Sequence, residues 1–352
     1  QNLFVISNKI ELEPDVVYSQ TSTIDLNGRK GLEIEGNGST IRLISRTTFQ
    51  MKLIDCSSWT IRNLTFDGNQ RVRMCIYGNN NNKGLMQNVC ICNIKDVEAK
   101  DFGIYGAWFY GSSDLSFENC LIKDIEANSF GVAAGLVFWP NTNEKVVICK
   151  NISIVNSRFY RVLADIHKEG KGADCIYFGG EYVNDNYVNA TVENCFFEDF
   201  GKRAIKVQAK SVTVKNCTMC DSKNFDFEHF SVIQFFGSKN NAFNNTIDVK
   251  YSSYGISVYA LPTRYLENGR VILDKNQFID KVDIANNYIH LNGNSLISVG
   301  VDNINACRYD NIAIINNILS TDNALAAIAI RGRGKNLSIR NNTINLLVRE
   351  QG

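Results

Sequence analysis

One phrase recurs along this chain, and it limits the fold more than any other feature. An alternating apolar segment runs into Asn, and a second short apolar segment follows at once. It reads Thr60-Ile61-Arg62-Asn63-Leu64-Thr65-Phe66, then Leu115-Ser116-Phe117-Glu118-Asn119-Cys120-Leu121, then Ile154-Val155-Asn156-Ser157-Arg158-Phe159. Further copies centre on Asn194, Asn216, Asn244, Asn286, Asn316 and Asn341, and a weaker one, Ile94-Lys95-Asp96-Val97, fills the interval after the first. Repeats of about 20–45 residues signal a solenoid, because each unit can bury its apolar face only against its neighbours.

A third apolar run in each repeat fixes the kind of solenoid. Examples are Cys75-Ile76-Tyr77, Gly103-Ile104-Tyr105, Ala204-Ile205-Lys206-Val207, Gly255-Ile256-Ser257-Val258 and Ala327-Ile328-Ala329-Ile330. Three short period-two strands per repeat predict an all-β chain, a single-stranded parallel β-helix of about ten three-strand coils. The recurrent Asn belongs at a tight bend, where its amide can bond the same Asn one coil away. A leucine-rich repeat would need a Leu-x-x-Leu-x-Leu frame, which is absent. The coils are expected to form one domain over residues 1–352, with 1–40 as an N-terminal cap and 345–352 as the C-terminal end.

In these repeats the chain resembles the pectin-lyase-like superfamily of right-handed parallel β-helices. The likeness runs from Ile24 to Leu347 and includes the opening Ile24-Asp25-Leu26-Asn27-Gly28 turn. It implies a right-handed coil and a polysaccharide partner, bound by an enzyme or by a non-catalytic tailspike or adhesin module. It also implies a monomer or, for a tailspike, a homotrimer. The expected location is extracellular, periplasmic, at the cell surface or on a virion. The chain opens at Gln1, so a signal or anchor is not visible in it.

Composition removes several other classes. A net charge of +1 argues against a nucleic-acid binder, which needs a basic surface. No apolar stretch reaches the length of a membrane span. The eleven cysteines read mainly as free structural thiols: Cys120, Cys195 and Cys217 each follow a repeat Asn, and Cys75 and Cys175 share another strand position. So many thiols suit folding in a reducing compartment. Sequons such as Asn63-Leu64-Thr65 fall on the repeat itself and are by-products of it.

Alternate strand residues face outward. With Ile76, Ile104, Ile176, Ile205, Ile233 and Ile256 inward, Tyr77, Tyr105, Val137, Tyr177, Lys206, Gln234 and Ser257 face solvent, followed two places on by Trp139, Gln208, Phe236, Tyr259 and Arg331. An aromatic row along one face suits stacking on sugar rings, and exposed apolar patches commonly mark interaction sites. Tyr105, Trp139, Lys202, Gln234, Tyr259, His167 and Lys168 are therefore candidate glycan-binding residues. The insertion Leu261–Lys281 is read as a groove wall or a subunit contact.

Ionisable groups crowd the middle coils: Asp165 to Lys171, Asp174, Asp199, Lys202, Arg203, Lys206, Asp226, Glu228 and His229. A lyase must neutralise a uronate carboxylate and remove the proton beside it. Lys206 beside Arg203 suits the base, because a neighbouring cation lowers a lysine pKa; Tyr177 or His229 could protonate the leaving oxygen and Lys202 hold the carboxylate. A hydrolase would instead set two carboxyl groups astride the bond, here Asp174 with Glu228 or Asp199. β-elimination on an acidic polysaccharide is the first reading, hydrolysis the second and binding without cleavage the third. Gly172-Ala173-Asp174 resembles a segment of the polygalacturonase-type hydrolases, but Lys202-Arg203 stands where that family has two Asp. No cofactor is required by the sequence. Calcium is allowed, although no acidic cluster repeats across adjacent coils.

Overall fold

The computed structural model describes residues 7–96, 98, 103–128, 131–142, 146–164, 172–180, 186–223, 225, 228–259, 278–300 and 308–346, with backbone only for 263–267 and 270–274. These residues form a right-handed parallel β-helix. The chain divides into two compact units, Gln1–Tyr177 and Phe178–Gly352.

In each unit three parallel sheets run the length of the stack. In the first unit, one coil comprises the strands Ser57–Arg62, Thr65–Asp67 and Val72–Asn79. The next repeats them as Asn82–Gln87, Cys90–Ile94 and Ile104–Tyr110. Residues 9–43 already carry strands of this stack, Lys9–Glu11 through Thr40–Leu43, so much of the N-terminal segment is itself coil. In the second unit, Thr246–Val258 and Tyr288–Val299 each turn the corner from second to third sheet without a break. The insertion holds an antiparallel hairpin, Thr263–Glu267 with Arg270–Asp274.

Stacking in register builds the core from columns of like residues. In the first unit one column runs Ile34, Ile61, Met86, Phe117, Ile154, every member almost wholly buried. In the second, Val192, Val214, Ala242, Ile284 and Ile314 continue in the same manner. Each fully buried large side chain contributes roughly 1.5–3 kcal/mol, so the columns rather than any single contact hold a coil to its neighbour.

The corners differ from the sequence expectation in an instructive way. Asn63, Asn119, Asn156, Asn194, Asn216, Asn244, Asn286, Asn316 and Asn341 all have φ between 51° and 57°. That left-handed conformation is the reason for Asn, whose short polar side chain tolerates it at low cost. Most of these side chains lie at the surface, so the repeat Asn is a turn residue and not a buried ladder. Some do bond along the stack, as Asn88 Nδ2 to Asn63 Oδ1 at 2.9 Å and Asn244 Nδ2 to Asn216 Oδ1 at 3.2 Å. Asn88, in Met86-Gln87-Asn88-Val89, fills the interval assigned to Asp96. Asp96 is instead buried and takes both nitrogens of Arg46 at 2.9 Å.

The buried ladder sits one residue later. Asn245, Asn287, Asn317 and Asn342 stack in the second unit, each Nδ2 donating to the next Oδ1 at 2.9–3.0 Å. The same Oδ1 atoms accept the backbone N–H of Asn245, Asn287 and Asn317 at 2.9 Å, and each amide also donates to a main-chain carbonyl. Backbone groups exposed by the bend are thereby satisfied without water. Asn245 Oδ1 likewise accepts Cys217 N, and where the ladder position is Ser the hydroxyl substitutes, as Ser157 Oγ does for Cys120 N. All ten described cysteines are free, and eight are buried.

These corners give a direct test. Asn287→Ala leaves buried donors and acceptors unpaired, each costing about 1–3 kcal/mol, whereas Asn286→Gly keeps the left-handed turn at little cost. Thermal melting should show a clearly lower Tm for Asn287→Ala and a nearly unchanged one for Asn286→Gly.

Candidate functional site

In the first unit the outer face of the third sheet carries a continuous line of aromatic rings. Phe49 lies 5.0 Å from Tyr77, and Tyr77 lies 5.8 Å from Tyr110. Trp108 then stacks on Tyr110 at 5.2 Å and approaches Trp139 at 6.1 Å, and Trp139 meets Tyr177 edge-on at 5.4 Å. Tyr105 packs against the edge of Trp108 at 4.3 Å. All seven residues are partly buried and none is fully enclosed. Strand register produces the line: Trp108 pairs with Tyr77 and Val137, while Tyr110 pairs with Asn79 and Trp139.

That register corrects one expectation. Tyr105 pairs with Met74 and Ala134, so the outward place beside Tyr77 belongs to Trp108. The seven-residue strand Ile104–Tyr110 offers two similar apolar pairs, and Ala107-Trp108 is the one in line with Ile76-Tyr77. Val137, Gln234, Ser257 and Ser298, expected to face solvent, are buried. Trp108, Tyr110 and Phe49 were legible as aromatics but not as members of the line, which needs the register.

Burial sets the chemistry of the ring hydroxyls. It pushes Tyr105 and Tyr110 up to about 12 and raises Tyr77 as well, so they stay neutral near physiological pH. Asp174, in the same unit, is almost wholly buried, and its charge lies close enough to raise Tyr105 further.

The second unit brings together a separate group. Phe230 is partly exposed, with Tyr254 at 5.8 Å and Tyr259 at 6.4 Å, and Phe236 lies 5.9 Å from Tyr259. Lys202 Nζ stands 5.6 Å and the Arg203 guanidinium carbon 5.2 Å from the Phe230 ring centroid. Arg203 is buried and donates from Nε to Gln234 Oε1 at 2.5 Å. Burial, together with a hydrogen bond to Tyr254, raises the Tyr259 hydroxyl well above its ordinary value. Lys206 is half-exposed in the same strand as Arg203 and in register with Gln234. Phe230 and Tyr254 were not anticipated; Phe230 directly follows His229, and only the fold turns one outward and the other inward.

His229 is the clearest correction among the catalytic candidates. It is fully buried, stacked on Phe200 at 4.3 Å with Phe225 at 6.0 Å. Its Nδ1 lies 2.9 Å from Gly201 O and its Nε2 2.8 Å from Asp221 Oδ1, and Asp221 also accepts from Lys250 N at 2.8 Å. Both ring nitrogens are committed, so His229 is a post between coils and cannot reach a glycan. Glu228 beside it is exposed. Asp199 is buried and accepts from the backbone and hydroxyl of Ser222, at 2.7 and 2.9 Å, which makes it a corner residue. His167, Lys168, Asp226 and most of the loop from Asp165 lie outside the described residues. Among the described residues no group of three His, Cys, Asp or Glu side chains is arranged to hold a metal ion, and no helix is long and apolar enough to cross a membrane.

No protein-family model matches the chain, and no curated protein matches it in sequence. Solved structures share its fold. The Streptococcus pneumoniae surface protein and adhesin PfbA superposes with a TM-score of 0.56 at 11% identity, over 97% of this chain and 92% of that one. The Azotobacter vinelandii mannuronan C-5 epimerase AlgE4 A-module gives 0.52 at 11% identity, over 92% and 91%. Endo-xylogalacturonan hydrolase from Aspergillus tubingensis gives 0.50 at 10% identity, over 96% and 85%. At such identities the likeness is one of fold. The chain is thus a right-handed parallel β-helix, a fold that it shares with these proteins and that by itself carries no function.

The role given to His229 can be checked by unfolding. His229→Ala removes a buried ring between two aromatics and strands Asp221, which should cost about 3 kcal/mol or more. Glu228→Gln, at an exposed neighbour, should change stability by less than about 0.5 kcal/mol. Urea unfolding of the two variants measures both.

Proposed function

We propose that this protein binds a glycan chain along the outer face of its third sheet, with the aromatic line of the first unit as the platform. The observation that carries this reading is the run Tyr77, Tyr110, Trp108, Trp139, Tyr177, whose successive centroids lie 5.2–6.1 Å apart. A line of half-exposed rings offers flat apolar faces with polar edges, which suits sugars and wastes little rotamer entropy on binding. Four successive turns each contribute one or more rings to the line, so the platform suits a polymer better than a small molecule. Within the second unit taken by itself an acidic polysaccharide is favoured by the part-exposed Lys202, over the Phe230 ring, and Lys206, in the strand Arg203–Val207. Two of the similar structures are named for mannuronan and xylogalacturonan, and one for adhesion. A glycan-binding protein of this kind belongs outside the cell, at its surface or on a virion.

Cleavage by β-elimination is the second reading. It is favoured by the part-exposed Lys206, a candidate base that stands in register with Gln234. Of the remaining candidates, Tyr177 and the buried Asp174 belong to the first unit, and Lys202 and the exposed Glu228 to the second. His229 takes no part.

One panel of acidic and neutral polysaccharides, capsular ones included, tests both readings. Binding is expected to quench tryptophan fluorescence, and Trp108→Ala or Trp139→Ala should weaken it by about 1–3 kcal/mol, or roughly tenfold to a hundredfold. Quenching that survives both substitutions would remove the platform. Unsaturated uronate absorbance, lost in Lys206→Ala with unchanged Tm, would establish the lyase; reducing ends without that absorbance would move catalysis to Asp174 and Glu228. Calcium dependence is checked in the same assay with a chelator.

A further inference from the structure

Most described cysteines are enclosed, but one pair opens to solvent. In the strand Cys90–Ile94 the alternation sends Ile91 into the core and places Cys90 and Cys92 together on the outer face. Cys90 lies between Thr65 and Leu121 of the neighbouring coils, and Cys92 between Asp67 and Lys123. Cys90 is partly exposed, whereas Cys92 is 6% exposed. Two residues of a strand span about 6.4–6.8 Å between Cα atoms, which falls at the upper end of the separations that a disulfide bridges. The two sulfurs already share a hydrogen bond.

We propose that Cys90 and Cys92 form a reactive dithiol that exchanges with small-molecule disulfides. The Cys90 thiolate attacks one sulfur of the disulfide, the S–S bond breaks, and one thiolate leaves and takes a proton from water. Cys92 then gives its proton to water and attacks the Cys90 sulfur. The second thiolate leaves and is protonated, and an intrachain disulfide closes. Two protein thiols are thereby oxidised, and the small disulfide is reduced to two thiols. The surroundings divide the two roles. The hydrogen bond from Cys92 lowers the Cys90 pKa and Lys123 lowers it further, against burial and the charges of Asp124 and Asp67. Asp67 is itself drawn to Arg42 Nε at 2.8 Å and Asn93 Nδ2 at 3.0 Å, and Asp124 lies 3.9 Å from Lys123 Nζ. The same contact raises Cys92, which keeps its proton until Cys90 has reacted. An attacking sulfur must be reached from solvent, but a resolving sulfur needs only its neighbour. Cys195 and Cys217 also touch, yet both are buried, so a disulfide in solution meets neither.

The test incubates the whole folded protein with glutathione disulfide, alkylates the remaining thiols after unfolding, and reads tryptic peptides by mass spectrometry. Cleavage after Lys83 and Lys95 releases the peptide 84–95, which holds Cys90 and Cys92 and no other cysteine. In the wild-type protein this peptide should lose two hydrogens and escape alkylation. Cys92→Ser should leave one glutathione on Cys90, and Cys90→Ser should leave Cys92 reduced. Lys123→Ala should slow the reaction about threefold or more at neutral pH and move its rise to higher pH, because a cation that favours the thiolate is gone. Circular dichroism and Tm verify that each variant folds, and the wild-type result stands without them. A peptide that stays reduced in the folded protein but reacts once urea unfolds it would overturn the proposal. So would a glutathione that remains on Cys90 of the wild type, or one that reaches Cys92 in Cys90→Ser at the wild-type rate.

Discussion

The satisfaction of backbone hydrogen bonds at the corners is what the rest of this structure depends on. Each turn of a β-helix bends the chain three times, and each bend takes main-chain groups out of a sheet ladder and into an interior with little water. The Asn-Asn corner of the later coils solves this with two residues. Asn286 takes the left-handed conformation that turns the strand, and Asn287 turns inward, where its Oδ1 accepts from Asn245 N and Nδ2 and its Nδ2 donates to Ala242 O and Asn317 Oδ1. A second corner works the same way with Asn81, whose Oδ1 accepts Cys56 N at 3.1 Å while its Nδ2 donates to Leu53 O at 2.8 Å. Since a buried unpaired group costs as much as a lost core contact, the corners fix the register that the apolar columns then fill.

The cysteines fit the same logic. A thiol at a ladder position is small, packs as an apolar group and still offers a weak donor to the carbonyl below, as Cys217 does to Val192 O at 3.6 Å and Lys215 O at 3.3 Å. Burial pushes Cys75 and Cys175 well above the usual thiol range, which leaves them inert. Among the described cysteines, Cys120, Cys195 and Cys217 recur at one structural position and Cys75 and Cys175 at another.

Register also decides which residues a ligand could meet. The aromatic line exists because consecutive coils place Tyr77 beside Trp108 and Tyr110 beside Trp139 within the pair distances of a parallel sheet. The charged candidates divide by burial. Lys206 and Glu228 reach solvent; Asp174 is buried, and Asp199, Arg203 and His229 are drawn into the wall of the coil, where Ser222, Gln234 and Asp221 hold them. A crowd of ionisable residues in neighbouring repeats is therefore as much a record of how corners are pinned as of chemistry.

By itself, the sequence determined the solenoid, its three-strand repeat, the bend at each recurrent Asn and the aromatic character of one outer face. Those properties follow from local periodicity and from the few residues that tolerate a left-handed turn. Only the tertiary structure decided that Asn88 and not Asp96 marks the second repeat, that the buried ladder runs through Asn245, Asn287, Asn317 and Asn342, and that Trp108 stands where Tyr105 was expected. It also decided that His229 is enclosed. Each of these depends on register, which is set by contacts between residues about one coil apart in sequence; alternation within a strand fixes two faces but not the offset between strands, and a slip of one residue exchanges the buried face for the exposed one.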